Sequence, residues 1–92
     1  MSASGSGAAT QVYSRQFDHR FLALPLEHQR RVQEKVDELG RRLCSFPHFR
    51  MEGADTFRLR VGDYRVIYQF DPGRNELLLI ALGHRREIYK RP

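Results

Sequence analysis

Strict alternation of apolar and polar positions is clearest on either side of Gly62-Asp63. From Phe57 to Val61, and again from Tyr64 to Phe70, every second residue is apolar. That is the period of a strand with one buried face. Gly-Asp between the two runs suits a tight hairpin turn in which glycine takes the positive φ. Counting outward from the turn sets Val61 opposite Tyr64, Arg60 opposite Arg65, Leu59 opposite Val66, Arg58 opposite Ile67 and Phe57 opposite Tyr68. One face then carries Phe57, Leu59, Val61, Tyr64, Val66 and Tyr68 and belongs to the core. The other carries Arg58, Arg60 and Arg65 with Ile67 and Gln69.

The remaining pattern divides as follows. Residues 1–10 are small and rich in Gly and Ser, and read as a flexible tail. Gln11 to Phe17 reads as a short strand. Asp18 is the expected N-cap of a short helix carrying Phe21, Leu22 and Leu24, which Pro25 closes while opening the next helix. That second helix, Pro25 to Cys44, shows Val32, Val36, Leu39 and Leu43 at steps of four, three and four, a single stripe that docks on the sheet. Glu27 with Arg31, Asp37 with Arg41 and Glu38 with Arg42 are spaced to pair along its solvent side. Gly40 weakens its last turn. Pro47 to Thr56 reads as a connecting loop without periodicity, and its lone His48 as a solvated residue. Asp71-Pro72-Gly73-Arg74-Asn75 is a dense turn signal. The run from Glu76 to Leu82 is apolar throughout, as in a central strand covered on both faces.

Composition narrows the class. The 92 residues suffice for one domain with one modest core, and 16 Lys+Arg against 11 Asp+Glu give a formal charge of +5. That surplus favours a nucleic acid or another acidic partner. A lone cysteine, Cys44, excludes an intrachain disulfide, and no Cys and His set has metal-ligand spacing. No apolar run is long enough for a membrane span, and no secretory leader pattern opens the chain. The expected location is cytoplasmic, with neither membrane nor cofactor involved.

Charge placement supplies the candidate chemistry. Like charges directly opposite one another destabilise a strand pair, yet Arg60 faces Arg65 with Arg58 beside them and no carboxylate on that face. The arrangement fits an anion, and a phosphate above all. Arginines whose stems cover apolar surface while their heads stay wet give the same pattern, and Glu87 is the nearest carboxylate available to neutralise the cluster.

Gly62-Asp63-Tyr64-Arg65-Val66-Ile67-Tyr68, followed by Gly83-His84-Arg85-Arg86-Glu87-Ile88-Tyr89, resembles the RelE/ParE superfamily of type II toxin-antitoxin toxins. The amphipathic helix after Leu24-Pro25 and the order strand, helix, helix, three strands are similar to that family as well. The resemblance implies an α+β, RelE-like domain over residues 11–92, a four-stranded sheet with an N-terminal helical hairpin on one face. It implies a cognate antitoxin as partner. For the RelE branch it implies a ribosome-dependent endoribonuclease acting on mRNA in the A site, and for the ParE branch a toxin that inhibits DNA gyrase.

Carried over residue by residue, the family's basic strand positions fall on Arg58, Arg60 and Arg65, with Arg65 the surest, and its C-terminal arginine and tyrosine on Arg85 and Tyr89. Arg86 joins the phosphate-binding set. RelE enzymes have lysines where this chain has Arg58 and Arg60. An arginine effectively never deprotonates, so neither can be the general base. Cleavage by the ribose 2'-hydroxyl needs that oxygen deprotonated, phosphoryl charge stabilised and the 5'-oxygen protonated. Arginine performs the middle task. His84, Tyr89 and Glu87 are left for the proton transfers, with His84 preferred because a histidine ordinarily titrates near neutrality.

Overall fold

The structure is a computed structural model that describes residues 7–53 and 55–88. It is an α+β domain in the order β1 (Thr10–Tyr13), α1 (Arg15–Ala23), α2 (Leu26–Arg41), β2 (Phe49–Arg50), β3 (Phe57–Val61), β4 (Tyr64–Asp71) and β5 (Glu76–His84). The strands form one mixed sheet, β1-β5-β4-β3-β2, with β1 parallel to β5 and the other pairs antiparallel. The sheet has five strands where four were expected. The addition is β2, in the loop that has no period of its own. No helix among the described residues is long and apolar enough to cross a membrane.

The hairpin follows the pattern. All five pairs from Val61 and Tyr64 out to Phe57 and Tyr68 are in the expected register, and Gly62 takes φ +59° at the turn. Leu59, Val61, Val66 and Tyr68 are buried together with Val32, Val36, Leu39 and Leu43 of the helical segment and with Phe17, Leu77, Leu79 and Leu82. Each such aliphatic side chain contributes about 1.5–3 kcal/mol when fully withdrawn from water. The stripe on α2 therefore ties the helical hairpin to one sheet face.

Strand β5 departs from simple alternation. Tyr68 faces Leu79 and Ile67 faces Ala81, so Ile80 is an extra residue in the ladder, a β-bulge. Leu77 and Leu79 lie on the helix side, and the extra residue lets Leu82 return to that side although its number has the opposite parity. The bulge is held from α1. Ser14 caps that helix, its Oγ accepting from the Phe17 N–H at 3.0 Å while donating to the Ile80 carbonyl. Gln16 binds Leu82 through both its N–H and its carbonyl.

Several boundaries differ from expectation for reasons visible here. The cap of α1 is Ser14, four residues before Asp18, because a hydroxyl can donate to β5 as it caps and an ionised carboxylate cannot. β1 accordingly stops at Tyr13, and residues 15–17 are helical. α2 ends at Arg41, short of Cys44. Glu27 pairs with Arg31 at 3.6 Å and Glu38 with Arg42 at 2.9 Å. Asp37 forms no ion pair with Arg41; it accepts from Gln11 and Gln33 at 2.8 and 2.9 Å. Of the expected tail, residues 1–6 lie outside the described residues, whereas Thr10 begins β1 and Ala9 is buried, its N–H bonded to the Gly40 carbonyl at 3.0 Å. Gly40 thus lies against Ala9, whose atoms stand 3.8 Å from where a Cβ would be, an ordinary van der Waals contact that an alanine could make.

Candidate nucleic-acid interface

The sheet face opposite the helices carries the arginines. Arg58 and Arg60 extend from β3 and Arg65 from β4, with Arg60 and Arg65 directly opposed. Arg65 is oriented by its own turn, its Nη1 donating to the Gly62 and Tyr64 carbonyls at 3.1 and 3.0 Å. A guanidinium has five N–H donors, so the Nε and Nη2 donors are left for a ligand.

Arg85 and Arg86 reach this face through the segment after β5. Gly83 pairs with Arg65 and has no side chain to occupy the space above it. Ile88 fills that space: a Cβ on Gly83 would meet Ile88 Cδ1 at 3.0 Å. The turn is closed by the Glu87 and Ile88 N–H groups, both 2.8 Å from the His84 carbonyl, and anchored by the Arg85 N–H on the Asp63 carbonyl at 2.7 Å. Asp63 also stands 3.9 Å from Arg85 Nε, an exposed pair of small energetic weight. The carboxylate that approaches the cluster is therefore Asp63; Glu87, expected as the nearest, forms no ion pair among the described residues.

Together these side chains line an open groove of about 650 Å³. Its lining comprises Arg58, Arg60, Arg65, Arg85 and Arg86 with Lys35, Leu59, Phe46, Pro47 and Phe49, and includes no carboxylate. Such a set can grip phosphate oxygens through paired N–H donors and stabilise charge that grows on them. Lys35, Phe46, Pro47 and Phe49 were not singled out in the sequence. The available signal was the density of aromatic residues in Phe46-Pro47-His48-Phe49.

The structure does not bring every candidate to the groove. His84 pairs with Tyr64, which puts it on the helix-side register, its ring edge-on to Tyr64 at 5.8 Å. Its Nδ1 accepts from the Arg86 N–H at 3.2 Å. Tyr89 lies outside the described residues.

His48 also differs from the solvated residue expected. Nε2 lies 2.7 Å from the Leu43 carbonyl, which only accepts, so that nitrogen carries the proton and Nδ1 accepts from the Tyr68 hydroxyl at 2.6 Å. The ring stacks on Phe70 at 3.9 Å. Burial pushes the Tyr68 hydroxyl pKa well above the ordinary tyrosine value. Of the motif Tyr64 to Tyr68, then, Val66, Ile67 and Tyr68 are buried structure and Arg65 opens onto the groove.

A mixed sheet backed by a helical hairpin has counterparts among known proteins. The model of the family described as "ParE toxin of type II toxin-antitoxin system, parDE" matches residues 8–89. The chain belongs to this family of toxins, within the RelE/ParE superfamily. Toxin RelG of Mycobacterium tuberculosis is 38% identical over 42 residues, 46% of this chain and 48% of that one, so the chain spans about half the length of this curated relative. The toxin-antitoxin complex RelBE2 of Mycobacterium tuberculosis matches at TM-score 0.70 and 26% identity over 87% of this chain and 94% of that chain. The archaeal RelE-RelB complex from Pyrococcus horikoshii matches at TM-score 0.72 and 28% identity over 87% and 98%.

Proposed function

We propose that this protein is the toxin of a type II module and a ribosome-dependent endoribonuclease that cuts mRNA in the A site. The observation that carries the reading is the groove gathering five arginines with no carboxylate in its lining. In the proposed reaction the ribose 2'-oxygen attacks the scissile phosphorus, the bond to the 5'-oxygen breaks, the 2'-hydroxyl proton leaves to a base and the 5'-oxygen takes one up. Arg60 and Arg65 hold the scissile phosphate, Arg58 and Arg86 its neighbours, and Arg85 the charge that develops in the transition state. Tyr89 is assigned a proton transfer; His84 stands on the helix-side register, so its assignment to the other requires the turn after β5 to bring its ring round to the groove. With Nδ1 accepting from Arg86, the proton of a neutral His84 ring sits on Nε2, so action as a base there requires the Arg86 contact to open.

The partner we assign is a cognate antitoxin, an acidic segment that folds on binding and covers Arg58, Arg60, Arg65 and Arg85 or displaces the Tyr89 segment. The family description favours a second reading, a gyrase inhibitor of ParE type without RNase activity. One experiment separates them. Purified protein is supplied with ribosomes programmed with message, and in parallel with gyrase and supercoiled DNA. Cuts inside the A-site codon support the first reading; accumulation of gyrase-cleaved DNA with intact message replaces it by the second.

A further inference from the structure

We propose that Phe49 is a stacking platform for one unpaired base of a single-stranded RNA whose phosphates lie in the arginine groove; this rests on the nucleic-acid reading above. The argument begins with an inversion. In a strand at a sheet edge the apolar side chain ordinarily turns toward the core and the charged one toward water. β2 does the reverse. Phe49 pairs with Arg58 and Arg50 with Phe57, so the phenylalanine stands on the arginine face, 60% exposed. Arg50 lies on the helix side, over the Phe57 ring at 5.5 Å. Exposing most of the ring forfeits burial energy.

The neighbouring aromatics do not need it. Phe46, His48, Phe57, Tyr68 and Phe70 contact one another, whereas Phe49 makes no ring contact among the described residues. Its support is nonetheless firm. His48, the preceding residue, is bonded at both ring nitrogens and stacked on Phe70, and Phe49 itself is paired in the sheet. An exposed flat ring on a fixed base, beside five guanidinium groups, matches what single-stranded nucleic acid requires: charge for the backbone and a π-face for a base. An acidic protein segment would use the same charges but has no need of an aromatic plane beside them.

The chain contains no tryptophan, so Phe49→Trp introduces a single indole at the platform, excited selectively over the tyrosines. The probe is a single-stranded hexamer of 2'-O-methyl RNA, which binds without being cut, together with the same hexamer made abasic throughout. The expected result is salt-sensitive binding of the hexamer by the wild type, quenching of the F49W emission by the hexamer and none by the abasic strand. Phe49→Tyr should retain affinity, and Phe49→Ala and Phe49→Leu should lose roughly ten- to a hundredfold. Unchanged affinity in Phe49→Ala with equal quenching by both strands overturns the platform and leaves the arginine groove standing. Absence of binding by the wild type overturns the groove reading and the platform with it. If Phe49→Ala weakens antitoxin capture while hexamer affinity is unchanged, the ring is a protein anchor and the proposal falls.

Discussion

The two faces of the sheet follow opposite rules. On the helix side, Val32, Val36, Leu39, Val66, Tyr68 and Leu82 are almost wholly withdrawn from water, and the polar contact of Tyr68 with His48 leaves neither ring nitrogen of the histidine without a partner. On the open side, like charges are opposed and an aromatic ring stands in solvent. The first face minimises the free energy of the folded chain. The second departs from that minimum in the places where a polyanionic ligand would restore it, which is how binding sites commonly betray themselves.

Exchanging substitutions between the faces tests this contrast. Arg65→Ala should lower cleavage of ribosome-bound message by about a hundred- to a thousandfold while the denaturation midpoint moves little, because relief of repulsion with Arg60 offsets the lost contacts to Gly62 and Tyr64. A folded variant cutting at the wild-type rate would remove the phosphate assignment. Leu39→Ala should do the opposite. A fully buried leucine truncated in a close-packed core costs about 2–5 kcal/mol, read by urea denaturation, with hexamer affinity of the still-folded protein unchanged.

Gly83→Val probes the boundary between the faces. Its side chain would collide with Ile88 and swing Arg85 and Arg86 away from Arg65, lowering cleavage by roughly ten- to a hundredfold with a small shift in melting temperature. Wild-type activity in that variant would detach the 85–88 turn from the site.

The smallest effect is expected at Tyr68. Phe in its place leaves His48 Nδ1 without a donor, a loss of about 1–3 kcal/mol at neutral pH. The alkaline side carries a second signature. Because the folded-state pKa of Tyr68 is raised by burial, the unfolded chain releases this proton first, from about pH 10 upward, while the folded chain keeps it. Wild-type stability therefore falls with rising pH in that range, and Tyr68→Phe should flatten the slope. Equal slopes in the two proteins would show that the hydroxyl is not held as described.

Much of this was written in local pattern. The β3–β4 register follows from a period of two and one turn dipeptide, and the α2 stripe from a period near 3.6; both are set by neighbours a few residues away. Arg58, Arg60 and Arg65 were legible as a face for the same reason. What was not legible depends on distant partners. Two residues cannot display a period, so β2 and with it the exposure of Phe49 stayed hidden. Ser14 and Asp18 are equal as caps until the Ile80 carbonyl is present to choose between them. The side on which His84 falls depends on the bulge, and a run apolar on both faces offers no alternation from which to locate one.

That bulge acts on β5 as a shift of reading frame acts on a message. Upstream of Ile80 odd-numbered residues belong to the core, and downstream the even-numbered ones do. Each half of the strand can therefore be altered in its own phase, the first toward packing against α1 and β1, the second toward the residues that emerge beside Arg65. Deleting Ile80 would leave that phase intact, because Leu79 and Ala81 already face adjacent residues of β4. Drawing Ile80 into the ladder opposite Ile67 would be far graver: every later residue would slip by one, Leu82 would turn to solvent, and the segment bearing Arg85 and Arg86 would leave from the wrong side of the sheet.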